Sequence, residues 1–411
     1  MDCRHLLFVL LAGGAAMATA GAQTDAPVLF NTAFEGASLG RVERVSDTNF
    51  RVYLAGQQDA RGRNRQATWV CFRMDRVRDR ELTITLTGYL PGEYNDRPVP
   101  HMNANAVPVF SQDGEKWEYF PAMTWDDVAK EGTVRIRPRA DSLWLATIPP
   151  YPHSRLVRLL AEIGALPHVR VETIGRSVHG RDLSLVTVTN FAKEDAAKKT
   201  VWLQARQHAW ESLTSFIAEG ALKFIVSDEP AARALRDENV FVFTPMLDPD
   251  GCATGGVRFN AHGYDVNRHW DEVDLRDPEW LRRAPEVWYP KKAVRDFVAT
   301  GRRIDLMVNL HNTIGEYLAA NAPTQADVAM LQKFNARLVA ETQFDPARPV
   351  QIRPPGAARA GVLPWWRTCN VPYVMIETRI AHGHKLGARP TAEHRLEFGR
   401  ELLRVMAASV K

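Results

Sequence analysis

The stretch Thr200-Val201-Trp202-Leu203-Gln204-Ala205-Arg206-Gln207-His208-Ala209-Trp210-Glu211 changes character halfway along. Its first six residues form an apolar, partly β-branched run of buried-strand length. Its second half is polar and carries an imidazole and a carboxylate. Residues 212–227 then read as a helix. The chain therefore turns from strand to helix with two metal-competent side chains at the turn.

Working outward, residues 240–245, 305–310 and 373–376 are further buried-strand candidates, and 393–409 read as a closing helix. Alternating strands and helices predict an α/β domain with a largely parallel or mixed sheet. In such sheets, sites form at the carboxyl ends of strands. Toward the N-terminus, Pro149-Pro150-Tyr151-Pro152 marks a linker. Before it, residues 41–45, 50–54, 67–73 and 81–86 alternate polar and apolar side chains between turn-rich stretches such as Pro91-Gly92 and Asp113-Gly114. That pattern predicts an antiparallel β-sandwich. The expected layout is a leader over residues 1–22, a β-sandwich domain over 27–150 and a catalytic domain over 153–411.

The leader reading rests on a charged start, an apolar run from Leu6 to about Ala18 and small residues up to Ala22. It predicts cleavage near Ala20 or Ala22 and an exported protein with no stable membrane insertion. Of the four cysteines, Cys71, Cys252 and Cys369 would remain. At most one disulfide can form, the sequence does not choose the pair, and none has C-x-x-C spacing. The chain has 411 residues, 52 Lys and Arg against 48 Asp and Glu, 45% apolar and 24% charged residues. These proportions exclude a disordered chain, a collagen-like fibre and a multi-span membrane protein. The small charge excess gives nucleic-acid binding no support.

His208 and Glu211, three apart at a turn, can converge on one ion, since zinc accepts imidazole nitrogen and carboxylate oxygen. Alone, the pair reads better as a loop histidine and a helix-capping glutamate. Asn309-Leu310-His311-Asn312 places a second His directly after another buried-strand candidate, where a third ligand would project. Two His and one Glu leave a coordination position open for water, as a catalytic zinc requires. Glu377 ends a third apolar strand and is placed to take that water's proton, or else to pair with Arg379. Downstream of Asp248-Pro249-Asp250-Gly251 come Arg258 and Asp265-Val266-Asn267-Arg268. Guanidinium groups suit an oxyanion or a substrate carboxylate. Asp265 is suited to orienting a ligand His. Ser177 in Gly175-Arg176-Ser177-Val178-His179-Gly180 lacks the G-x-S-x-G of a nucleophile elbow. His382-Gly383-His384 reads as a surface loop.

Taken together these motifs resemble the zinc carboxypeptidases, and more closely the branch called cytosolic carboxypeptidases. H-x-x-E, a P-D-G turn, an Arg, D-x-N-R, a His after a strand and a Glu after a later strand occur in the family's order. Gly175 to Arg181 resembles the entry strand, and residues 39–54 resemble the branch's β-sandwich. The resemblance implies a mixed-sheet α/β/α zinc carboxypeptidase domain behind an antiparallel β-sandwich. It implies one zinc per chain on His208, Glu211 and His311, Glu377 as general base and acid, Arg258 at the oxyanion, and Asn267 and Arg268 on the substrate's terminal carboxylate. Asp265 would orient His208, and Arg359 would touch substrate. Three departures stand out. Asp248 replaces an Asn, Ala209-Trp210 replace Pro-Gly, and residues 352–362 contain no substrate-covering Tyr. Trp210 is expected to narrow the cleft or shift the helix start. The branch name says cytosolic, whereas the leader predicts a periplasmic or extracellular location, and the leader decides that expectation.

The reaction expected is hydrolysis of the C-terminal peptide bond of a peptide or protein. One rival keeps the zinc but makes the enzyme an amidase or deacylase on cell-wall peptides or acylated amino acids. Another is an inactive binding protein with the sandwich as recognition module. Arg353, Arg359 and Arg379 point to an acidic side chain on the substrate.

Overall fold

Four apolar strands, each flanked by helices or turns, run parallel at the centre of the C-terminal half. A computed structural model describes residues 26–94, 97–194, 197–355 and 369–411. Its largest sheet has eight strands. In spatial order they are Val169–Arg176, Asp182–Val188, Asn239–Thr244, Lys199–Gln204, Leu306–Thr313, Tyr373–Arg379, Tyr317–Asn321 and Gln351–Arg353. The third to sixth pair in parallel; antiparallel pairings add the first two strands and Tyr317–Asn321, and Gln351–Arg353 pairs with the latter in parallel. Asn239–Thr244 is buried at every residue, and Leu306–Thr313 at all but its last. Both faces are covered, which is why these segments read as continuous apolar runs.

Leu213–Val226 is the helix that follows the H-x-x-E turn, and it is buried almost all round. It lies between the sheet and the helix Ala392–Ser409. Two glycines set that crossing. A Cβ on Gly220 would lie 1.9 Å from the Leu396 carbonyl oxygen, and one on Gly399 would lie 2.0 Å from that of Ile217. The two backbones therefore touch directly, which only a residue without a side chain permits.

The N-terminal part folds as two five-stranded sheets. Phe50, Val52, Phe72, Ile84, Val134, Leu143 and Leu145 fill the core of this unit. The alternation of buried and half-buried residues along Asn49–Tyr53 and Leu82–Thr87 matches the sequence pattern. One pairing departs from expectation: these two strands run parallel. Alternation encodes which face is buried, not strand direction, so the sequence does not reveal it.

The proline cluster is packed rather than loose. The Pro149 carbonyl accepts from Ser212 Oγ at 2.7 Å, and that of Tyr151 from Arg206 Nη1 at 3.3 Å. Trp69, Cys71, Val109 and Ala146 of the N-terminal sheets share one apolar core with Tyr151, Trp210 and Leu213. Cys71, Cys252 and Cys369 are free thiols. No helix among the described residues is long and apolar enough to cross a membrane.

Candidate metal centre and catalytic site

The strand Lys199–Gln204 ends at its carboxyl edge in a strained turn. Arg206 sits there at φ 57°, in the left-handed region that L residues rarely adopt. Its side chain holds the turn closed. Nε donates to the Ala209 carbonyl at 2.8 Å, and Nη1 to Ser215 Oγ at 3.0 Å. The Trp210 N–H donates to the Val257 carbonyl at 3.0 Å. This scaffold presents His208 and Glu211 just before the helix.

His311 arrives from the neighbouring strand. One ligand atom each from His208, Glu211 and His311 lie within 4.8 Å of one another, and this is the cluster among the described residues able to hold a metal ion. All three side chains are buried, at 2%, 3% and 1% exposure. The Glu211 carboxylate bridges the rings, Oε1 to His208 Nδ1 at 2.8 Å and Oε2 to His311 Nδ1 at 2.9 Å. Burial pushes the Glu211 carboxyl up, but the two imidazoles outweigh it and hold it below the usual carboxylate range. Burial lowers His311 toward its neutral form, the form that binds a cation.

The donor set fits zinc in softness and number, and the outer contacts fit it as well. His208 Nε2 donates to Asp265 Oδ1 at 3.1 Å, leaving the Nδ1 lone pair facing the cluster. Committing His311 Nδ1 likewise puts its proton on Nε2. That nitrogen lies 3.0 Å from the side-chain amides of both Asn267 and Asn309. Asn309 Nδ2 is committed to Gln207 Oε1 at 2.7 Å, so a reversed Asn267 amide is what would supply the acceptor.

Glu377 is the register partner of His311 on the adjacent parallel strand, so both side chains leave the sheet on one face. It is half-buried, with Oε2 sealed from solvent and unpartnered. Burial, reinforced by the charge of Glu211 and opposed by Arg258 and Arg268, pushes its carboxyl up to about 8. A carboxyl near neutrality suits a group that must both take and return a proton.

Arg258 is 4% exposed, and its Nε donates to Asp265 Oδ2 at 2.7 Å. Asp265 thus ties a guanidinium to a ligand imidazole. Although burial opposes it, the charges of Arg258, Arg268 and His208 hold its carboxyl well below the ordinary range. Asn267 is buried against His311. Arg268 is half-buried, with Nη1 donating to the Asn267 carbonyl at 2.9 Å. The structure thus brings together His208, Glu211, His311, Asp265, Arg258, Asn267 and Glu377, with Arg268 beside them. Arg359 lies outside the described residues.

Trp210 points into the core rather than to solvent. It is 1% exposed, in the core shared with the N-terminal sheets. Arg379 is engaged by Glu316 and by the Asp345 carbonyl, rather than by Glu377. Ser177 Oγ donates to Asp250 Oδ1 at 2.8 Å inside a turn, a structural role. His382 and His384 are both exposed.

Three residues near the site escaped the sequence reading. Tyr317 opposes Glu377 in register from the other side, its hydroxyl 3.5 Å from Oε1. His101, from the N-terminal unit, packs 6.1 Å from the Trp210 ring. Burial, aided by the charge of Arg258, lowers its pKa to about 4. Gln57 grips the backbone that carries Arg258. A shared strand register or a contact across 200 residues leaves no local sequence signal.

Comparison with known proteins agrees with this geometry. The zinc carboxypeptidase family (peptidase M14) matches residues 158–323. Mouse cytosolic carboxypeptidase 6 is 29% identical over 257 residues, 59% of this chain and 46% of that protein. Cytosolic carboxypeptidase 2 of Macaca fascicularis is 28% identical over 298 residues, 66% of this chain and 34% of that one. The chain thus spans between a third and a half of the length of these relatives. Among solved structures, a metallo-carboxypeptidase from Burkholderia cenocepacia superposes with a TM-score of 0.76 at 22% identity. The match covers 93% of this chain and 99% of that one. One from Pseudomonas aeruginosa, in complex with (2-guanidinoethylmercapto)succinic acid, gives 0.76 at 22% identity over 93% and 100% of the two chains. The mixed-sheet α/β fold behind an N-terminal sheet unit agrees with these neighbours. The expectation of export is corrected: these curated relatives are named cytosolic carboxypeptidases, which runs against it. The leader-like residues 1–22 lie outside the described residues.

Proposed function

From the premise that this chain carries a domain of the zinc carboxypeptidase family and is a peptide hydrolase by class, we propose that it removes the C-terminal residue of a peptide or protein. His208, Glu211 and His311 would hold one zinc per chain. When bound, the ion supplies Lewis acidity, making water acidic enough to lose a proton near neutral pH and polarising the scissile carbonyl. Glu377 takes the proton of the attacking water, a new C–O bond forms at the carbonyl carbon, and Arg258 faces the negative charge that develops on its oxygen. Glu377 returns the proton to the leaving nitrogen as the C–N bond breaks. A shortened chain and a free amino acid leave. Asp265 keeps His208 in the tautomer that presents Nδ1, and Arg268 with Asn267 receives the substrate's free carboxylate.

The observation that carries this reading is the adjacency of the Glu377 carboxyl, whose Oε2 is buried and unpartnered, to a buried two-imidazole, one-carboxylate cluster. Peptides with free or amidated C-termini test it. Cleavage of the free forms alone, abolished by chelator and restored by zinc, is expected. Indifference to amidation would remove Arg268 from its assigned role and favour an amidase.

A further inference from the structure

The backbone of Arg258 is not held by its own domain alone. Gln57 lies in a two-residue strand of the N-terminal unit, paired with Arg65–Gln66. Its side-chain Oε1 accepts three consecutive backbone N–H groups, from Val257 at 2.9 Å, Arg258 at 2.7 Å and Phe259 at 3.0 Å. Its Nε2 donates to the Phe259 carbonyl at 3.2 Å. From the loop beyond it, the Ala60 N–H donates to the Gly263 carbonyl at 3.0 Å. The hairpin therefore grips both ends of the 257–265 loop.

That loop leads directly into the centre. The Val257 carbonyl accepts from Trp210 N, inside the His208–Glu211 turn. Arg258 Nε bonds Asp265, and Asp265 bonds His208. Three N–H groups converging on one oxygen fix the φ and ψ of the residue that carries the guanidinium. An oxyanion donor contributes only when it is preorganised to within a fraction of an ångström.

We propose that Gln57 is a positioning residue, through which the N-terminal unit holds Arg258 in register with the reacting carbonyl. This rests on the peptidase reading for its kinetic consequence, while the backbone clamp is a property of the protein itself. The unit thereby becomes part of the catalytic apparatus rather than an appended module.

Two measurements on Gln57→Leu, which keeps bulk and removes the acceptor, test the proposal. In hydrogen exchange on zinc-free protein, the amides of residues 257–259 should lose protection while those of 213–226 keep theirs. In zinc-loaded protein, kcat should fall about tenfold or more with KM within twofold and zinc content unchanged. Unchanged protection at 257–259, or a loss of turnover matched by loss of zinc or of protection throughout, overturns it. Should Gln57→Leu not fold, Gln57→Glu retains the accepting oxygen and must keep 257–259 protected; exchange there at the rate of an open loop rejects the clamp. If wild-type protein cleaves no peptide, the peptidase reading fails, and the exchange experiment still decides the clamp.

Discussion

His311 and Glu377 are register partners on adjacent parallel strands. The His311 imidazole and the Glu377 carboxyl are therefore spaced by the sheet itself, one strand apart on the same face. Glu377 is outside the ligand triangle, so Glu377→Gln should leave zinc content at wild-type level and lower kcat about 10²–10⁴-fold. Metal analysis alongside turnover checks this; a variant that turns over normally removes the mechanism.

Asp265 bonds His208 with one oxygen and Arg258 with the other. Asp265→Ala would free the His208 tautomer and remove the carboxylate that Arg258 Nε donates to. Zinc affinity, measured by chelator competition, should weaken about 10–100-fold, with a drop in kcat beyond that of metal loss. Unchanged affinity would mean that the Asp265 contact does not govern the ring.

Asp248 caps the segment Pro249–Thr254, accepting from Gly251 N at 2.9 Å, while its Oδ2 is buried and unpartnered. Burial, then repulsion from Glu286, raises its carboxyl well above the ordinary range. A folded pKa above the unfolded value means that protons favour the fold. The contribution is whole below about pH 4 and is lost as pH rises toward the folded value. Asp248→Asn keeps the cap and removes this loss. It should be more stable than wild type at pH 7, with the difference closing toward pH 4. Denaturant melts at the two pH values decide it, and equal stability at pH 7 rejects the argument.

Gly399→Ala inserts a methyl where 2.0 Å separates the Cβ position from the Ile217 carbonyl oxygen. Overpacking of this kind costs about 1–3 kcal/mol or more. A lower melting temperature is expected, with weaker zinc retention, because the helix that follows Glu211 is displaced. A melting curve superposable on wild type would show that the helices part without cost.

Much of the catalytic half was legible because its strands are covered on both faces. Continuous apolar runs at 200–205, 240–245, 305–310 and 373–376 mark them, and the chemistry lies where those runs stop. The ligand atoms of His208, Glu211 and His311 meet for that reason. The role of Tyr317 was not legible, since a strand's neighbour is set by topology and not by its own residues. The same holds for Gln57 and His101, whose importance lies in what a separate unit presses against. Arg379, read as a partner for Glu377 or for an acidic substrate, pairs with Glu316 and the Asp345 carbonyl instead. The parallel pairing of Asn49–Tyr53 with Leu82–Thr87 was invisible to a pattern that reports faces alone.

The glycine crossing between Leu213–Val226 and Ala392–Ser409 also bears on when the protein becomes active. The first of these helices begins two residues after Glu211, yet its outer face stays bare until the second is synthesised and docks. A ribosome-bound chain that has emitted only the first three hundred residues lacks both this cover and Glu377. The centre is therefore complete only once the strand carrying Glu377 and the helix Ala392–Ser409 have folded onto the rest.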